Sequence, residues 1–173
     1  MEEHLEKSLI GACGVFCVSA ELSRKGWIAM PTIRNTAGVD IIAFKGSRAV
    51  KIQVKTNSYG KVKYPMSEGN ESLMADDLFY VFVTLKAPEE RPDFYIAQSG
   101  LVADYIKKTH THFATLPPRR KKAAYEGTTP DEIAQKREKS TLRQFPNYVG
   151  ALLPEFKGFN INNFKDGWEL LEK

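Results

Sequence analysis

Four polar residues stand where the pattern of apolar residues expects a protein interior: Glu21, Asp40, Gln53 and Lys55. A buried carboxylate is expensive unless it is paired or bound to a metal. Asp is depleted in strands, yet Asp40 interrupts the run Gly38-Val39-Asp40-Ile41-Ile42-Ala43. Gln53 and Lys55 are two apart in an alternating stretch, so they share one strand face. Mg²⁺ is a hard cation that takes oxygen ligands and keeps several waters. The carboxylates of Glu21 and Asp40 and the amide carbonyl of Gln53 suit such an ion, Mg²⁺ or Mn²⁺. The Lys55 ammonium suits the positioning of a water or the stabilisation of a developing anion. Together they suit hydrolysis of a phosphodiester.

Such a set works only if the chain brings it together. Apolar residues from Leu5 to Leu22 recur near a 3.6-residue period, which predicts a helix over 4–25, with Gly26 as its C-cap. Glu21 continues the step of four through Leu9, Cys13 and Cys17. The same spacing makes Cys13 and Cys17 two reduced core thiols, beside Leu9, Phe16 and Ala20. Gly11 and Gly14 weaken the helix but let another element come close.

Strands are expected over 27–33, 39–44 and 49–56. Lys45-Gly46-Ser47-Arg48 is a hairpin signal. If Lys45 and Arg48 close a two-residue turn, Asp40 falls opposite Gln53, with Lys55 on the diagonal. Cβ atoms are then about 5 Å and about 7 Å apart. A slip of one residue would separate them onto different faces. Gly38 leaves room for something to approach the backbone.

Further along, 57–76 reads as a polar loop, 78–85 as a buried strand, 93–97 as a strand and 101–108 as a short helix. Thr129-Pro130 opens a helix over 130–139, and a short helix near 164–171 docks Trp168 and Leu171. This order predicts an α/β fold with a central mixed sheet flanked by helices. Residues 1–108 form the expected core. Residues 109–173 form a basic loop and a C-terminal helical extension.

The stretch from Glu21 through Gly38-Val39-Asp40-Ile41-Ile42 to Ile52-Gln53-Val54-Lys55-Thr56 resembles the core of the PD-(D/E)XK nuclease superfamily. It is most similar to the Holliday-junction-resolvase-like and restriction-endonuclease-like members. The resemblance covers residues 8–56 and extends weakly through the strands that follow. It implies a three-layer restriction-endonuclease-like fold. It also implies a metal-dependent DNA endonuclease with Glu21, Asp40 and Gln53 as metal ligands and Lys55 as the fourth catalytic residue. Val39 stands where the motif has proline, and Gln53 stands where it usually has an acid. The neutral amide removes one negative charge from the metal site. The alternative is therefore a catalytically degenerate nucleic-acid-binding module of the same fold.

DNA is the expected partner. The formal net charge is +4, a mild basic bias. Tyr59, Lys61 and Lys63 follow the catalytic strand, and Arg119, Arg120, Lys121 and Lys122 form a basic run, so these are the expected phosphate and base contacts. A homodimer is compatible with cutting both strands of a duplex. No apolar run approaches the roughly 18 residues of a membrane span. The acidic opening Met1-Glu2-Glu3 is unlike a signal peptide. Those features point to a cytoplasmic protein.

Overall fold

The computed structural model describes residues 6–32, 38–58, 63–117 and 127–173. Helix α1 spans Lys7–Arg24. Three strands follow: β1 (Ile28–Pro31), β2 (Ile41–Lys45) and β3 (Arg48–Asn57). After them come β4 (Tyr64–Ser67), β5 (Leu78–Thr84), β6 (Asp93–Gln98), helices α2 (Ser99–Thr115) and α3 (Pro130–Glu138), and β7 (Leu142–Phe145). The main sheet runs β1-β2-β3-β5-β6. Its β3–β5 pair is parallel and the other pairs are antiparallel, so the sheet is mixed.

Two cores lie on the two faces of that sheet, because strand side chains alternate. On one face, Val18 and Leu22 of α1 pack with Ile52, Val54, Val81, Val83 and Trp168. On the other, Val102, Tyr105 and Ile106 of α2 pack with Tyr80, Phe82, Tyr95 and Tyr64. The result is three layers, α/β/α, the architecture expected from the sequence. Burying each large side chain contributes about 1.5–3 kcal/mol.

Three differences from the expected elements have local causes. The 57–76 segment holds β4 and a 3-10 turn, Glu68–Glu71, where a loop was expected. β4 pairs with β7 from the far end of the chain, so neither strand has a local partner to betray it. Helix α2 runs on to Thr115, seven residues beyond the 101–108 span. The hydroxyls of Thr109 and Thr111 donate back to the carbonyls of Tyr105 and Lys107 within it. Near 164–171 the helix is a 3-10 segment, Trp168–Glu172, and it does bury Trp168 and Leu171.

The cysteines are a correction. Both thiols are free, but Cys13 is exposed, and only the half-buried Cys17 packs against the edge of the core. Helix α1 is apolar on more than one face, and the buried one is Gly14, Val18, Glu21 and Leu22. Gly14 decides this choice. A Cβ there would lie 1.8 Å from Thr56 Oγ1, so only glycine lets α1 rest against β3. Gly11 meets nothing within 4 Å.

Candidate active site

The β2–β3 hairpin has the register on which the site depends. Lys45 pairs with Arg48 around the Gly46-Ser47 turn, and Ile41 pairs with Ile52. Gly46 takes a positive φ of 59°, as the turn requires. Just before Ile41 the ladder bends. The Asp40 N–H donates to the Ile52 carbonyl at 2.8 Å. The Asp40 side chain then turns across to β3, where its Oδ2 accepts from Gln53 Nε2 and from the Val54 backbone N–H, each at 2.7 Å. Gly38 precedes this bend at φ 74°, and a Cβ there would lie 2.6 Å from Leu73 Cδ2. What approaches the backbone at Gly38 is thus the Leu73 side chain.

Lys55 lies one strand repeat beyond Gln53 on the same face. The parallel register sets Gln53 against Tyr80 and Lys55 against Phe82. Burial holds the Lys55 ammonium below the usual lysine range, and the Asp40 carboxylate partly offsets that shift. The Tyr80 hydroxyl accepts from Asn70 Nδ2 at 3.0 Å. Burial pushes the Tyr80 phenol up to about 12, and the negative charge of Asp40 adds to the rise. Asp40, Gln53, Lys55 and Tyr80 therefore form one electrostatic neighbourhood. Sequence reasoning missed Tyr80, because a continuous apolar strand gives no sign of which residue will stand beside Gln53.

Glu21 is not part of it, which corrects the expected ligand set. Helix α1 packs on the Ile52 and Val54 face, whereas Gln53 and Lys55 point to the other. Glu21 is only 8% exposed, and both of its oxygens are occupied. Arg91 Nε and Nη2 donate to Oε1 and Oε2 at 3.2 and 3.1 Å, and Arg24 Nη1 donates to Oε1 at 3.1 Å. Arg91 also grips Asp166 at 2.8 Å, closing an acid–arginine–acid bridge. The Arg91 bonds hold the Glu21 carboxyl below its usual range. Periodicity revealed that Glu21 is buried. It could not reveal that the helix lies on the opposite side of the sheet from Gln53.

Among the described residues no group of three His, Cys, Asp or Glu side chains is placed to hold a metal ion. A smaller donor set is present. Asp40 Oδ1 has no hydrogen-bond partner among the described residues. Rotating the Gln53 amide by half a turn would present its carbonyl oxygen instead of its NH₂. One carboxylate and one amide oxygen fit a hard ion that keeps most of its water, such as Mg²⁺ or Mn²⁺.

Of the expected nucleic-acid contacts, Lys63 is exposed, and its carbonyl accepts from Asn57 Nδ2 at 2.7 Å. Asn57 is two residues beyond Lys55, so Lys63 stands at the same end of β3 as the site. Tyr59, Lys61, Arg119, Arg120, Lys121 and Lys122 lie outside the described residues.

No protein-family model matches the chain, and no curated protein matches it. Among solved structures it is similar to a bacterial homing endonuclease, I-Ssp6803I. Identity is 16%, over 58% of this chain and 74% of that one, with a TM-score of 0.43. At that distance the likeness speaks of neither catalysis nor substrate. No helix among the described residues is long and apolar enough to cross a membrane.

Proposed function

We propose that this protein is a metal-dependent endodeoxyribonuclease of the PD-(D/E)XK type. The observation that carries the reading is the meeting of Asp40 and Gln53 at 2.7 Å with Lys55 on the same face. Asp40 Oδ1 and Gln53 Oε1 would hold Mg²⁺ or Mn²⁺. When bound, the ion supplies an acidified water and offsets charge on the phosphate. Asp40 is fixed by its bond to the Val54 amide, so its free oxygen is oriented before any ligand arrives. The Lys55 ammonium, on the face that holds Gln53, would act on a phosphate oxygen or on the attacking water. Tyr80, paired with Gln53 in the sheet and bonded by Asn70, adds no charge to the site. Glu21 stays with Arg91 as a structural acid.

The test is cleavage of supercoiled plasmid and of a branched-junction oligonucleotide with Mg²⁺ or Mn²⁺. Wild type is expected to cut, and Asp40→Ala is not. Equal cutting by both would remove the assignment.

One observation favours a second reading, a module that binds nucleic acid without cutting it. Asp40 Oδ2 is already taken by Gln53 Nε2 and Val54 N–H, and among the described residues no group of three His, Cys, Asp or Glu side chains joins it there. That reading expects salt-dependent DNA binding and no cleavage by wild type. In that case Gln53→Glu is the next variant to assay.

A further inference from the structure

Helix α1 has a second apolar face that none of the described residues covers. Leu9 is 54% exposed and Phe16 67% exposed. Cys13 and Ala20 are exposed between and beyond them. The positions 9, 13, 16 and 20 alternate steps of four and three. That spacing makes the seam of two packed helices. The seam is about 16 Å long at 1.5 Å per residue. Its charged ends differ in sign. Glu6 is exposed at the start, after Glu2 and Glu3 in the sequence, while Arg24 and Lys25 are exposed at the finish.

We infer that this face pairs with a second copy of the same helix, antiparallel about a two-fold axis between Cys13 and Phe16. In that arrangement Leu9 meets the partner's Ala20, and Phe16 meets the partner's Cys13. Each large side chain therefore faces a small one. Glu6 comes beside the partner's Arg24, acid to base, at both ends. A parallel pairing would set Phe16 on Phe16 and Glu6 on Glu6, with like charges together. A phosphate backbone is a poor occupant, since the seam is apolar and its leading end acidic. The stripe is thus better fitted to a second copy than to nucleic acid.

Sedimentation of the full chain at tens of micromolar tests this directly. Wild type is expected to run as a dimer. Phe16→Glu is expected to run as a monomer with an unchanged circular-dichroism spectrum, because the side chain touches solvent in the single copy. Ile28→Glu, on the exposed apolar patch of the other sheet face, should leave the dimer intact. Glu6→Arg should raise the dissociation constant roughly five- to tenfold. A monomeric wild type overturns the inference, as does a dimer that survives Phe16→Glu. A Glu6→Arg variant that dimerises more tightly overturns the antiparallel orientation.

Discussion

The two faces of the sheet each carry a partly or fully buried acid with a basic neighbour, and the two are built to different ends. On the α1 face, Glu21 is enclosed by guanidinium: Arg91 bonds both oxygens, Arg24 adds a third contact, and Asp166 returns the charge. On the α2 face, Asp40 has a neutral amide and a backbone N–H on one oxygen and no described partner on the other. Lys55 is close enough to feel Asp40 but makes no ion pair among the described residues. An acid whose two oxygens are both held by arginine has its charge already balanced and offers a cation little. An acid held by one oxygen and left open at the other offers more. Burial alone would favour Glu21, which is buried where Asp40 is half-buried; the partners point to Asp40 instead.

The largest effect that separates the faces is on cleavage. Asp40→Asn keeps an acceptor for the Val54 amide but removes the charge, and Lys55→Ala removes the ammonium. Each should lower the cleavage rate by roughly a thousandfold or more, as loss of a charge-stabilising group does. Glu21→Gln should cut within a few-fold of wild type. If Glu21→Gln is as inactive as Asp40→Asn while its melting temperature is unchanged, the division between the faces fails.

The lysine provides a sharper comparison. Its desolvated ammonium loses its proton at a lower pH than an ordinary lysine. The alkaline limb of a cleavage–pH profile should therefore fall below the usual lysine range. Lys55→Arg, always charged at these pH values, should remove that limb even if it slows the reaction. A wild-type profile that stays flat up to the ordinary lysine range would deny Lys55 its role.

Stability should respond in the opposite sense. Breaking one side of the Glu21–Arg91 bridge with Arg91→Ala should destabilise the fold by about 1–3 kcal/mol in urea unfolding, since Glu21 is left buried with fewer donors. The Glu21 carboxyl is held below its usual value in the folded chain. The folded state therefore binds fewer protons than the unfolded one in the acid range. Its contribution is present above the ordinary glutamate pKa and is lost as pH falls through the lowered one. Glu21→Gln should flatten that acid loss. An acid transition unchanged in Glu21→Gln would show that the bridge does not govern it.

The smallest expected effect concerns the two glycines of α1. Gly11→Ala should stabilise by about 0.5–1 kcal/mol, as alanine does in an open helix position. Gly14→Ala should instead destabilise, because its Cβ would collide with Thr56. Thr56→Ala, combined with it, should recover stability. Thermal melts of the variants would decide, and equal shifts for both glycines would mean that α1 does not rest on β3 as described.

The local parts of this arrangement were legible. A two-residue turn with Gly at its head fixed the β2–β3 register, and with it the meeting of Asp40 and Gln53. Alternation in 49–56 fixed that Gln53 and Lys55 share a face. The non-local parts were not. Tyr64-Pro65-Met66-Ser67 becomes a strand only because Leu142–Phe145 returns to it from the far end of the chain. Glu21 and Gln53 are each buried by pattern, but pattern does not say which side of a sheet a helix will take. Arg91, which claims Glu21, sits in a polar turn between β5 and β6 with nothing nearby in sequence to mark it.

The Val54 amide offers a consequence of its own. In an ordinary ladder its proton would be held by a backbone carbonyl, which nothing short of strand opening can release. Here the holder is the carboxylate of Asp40. Any event that draws on that carboxylate also weakens its grip on this proton. Solvent exchange at one backbone position would thus read the occupancy of the site from within the sheet, without a label and without a substrate.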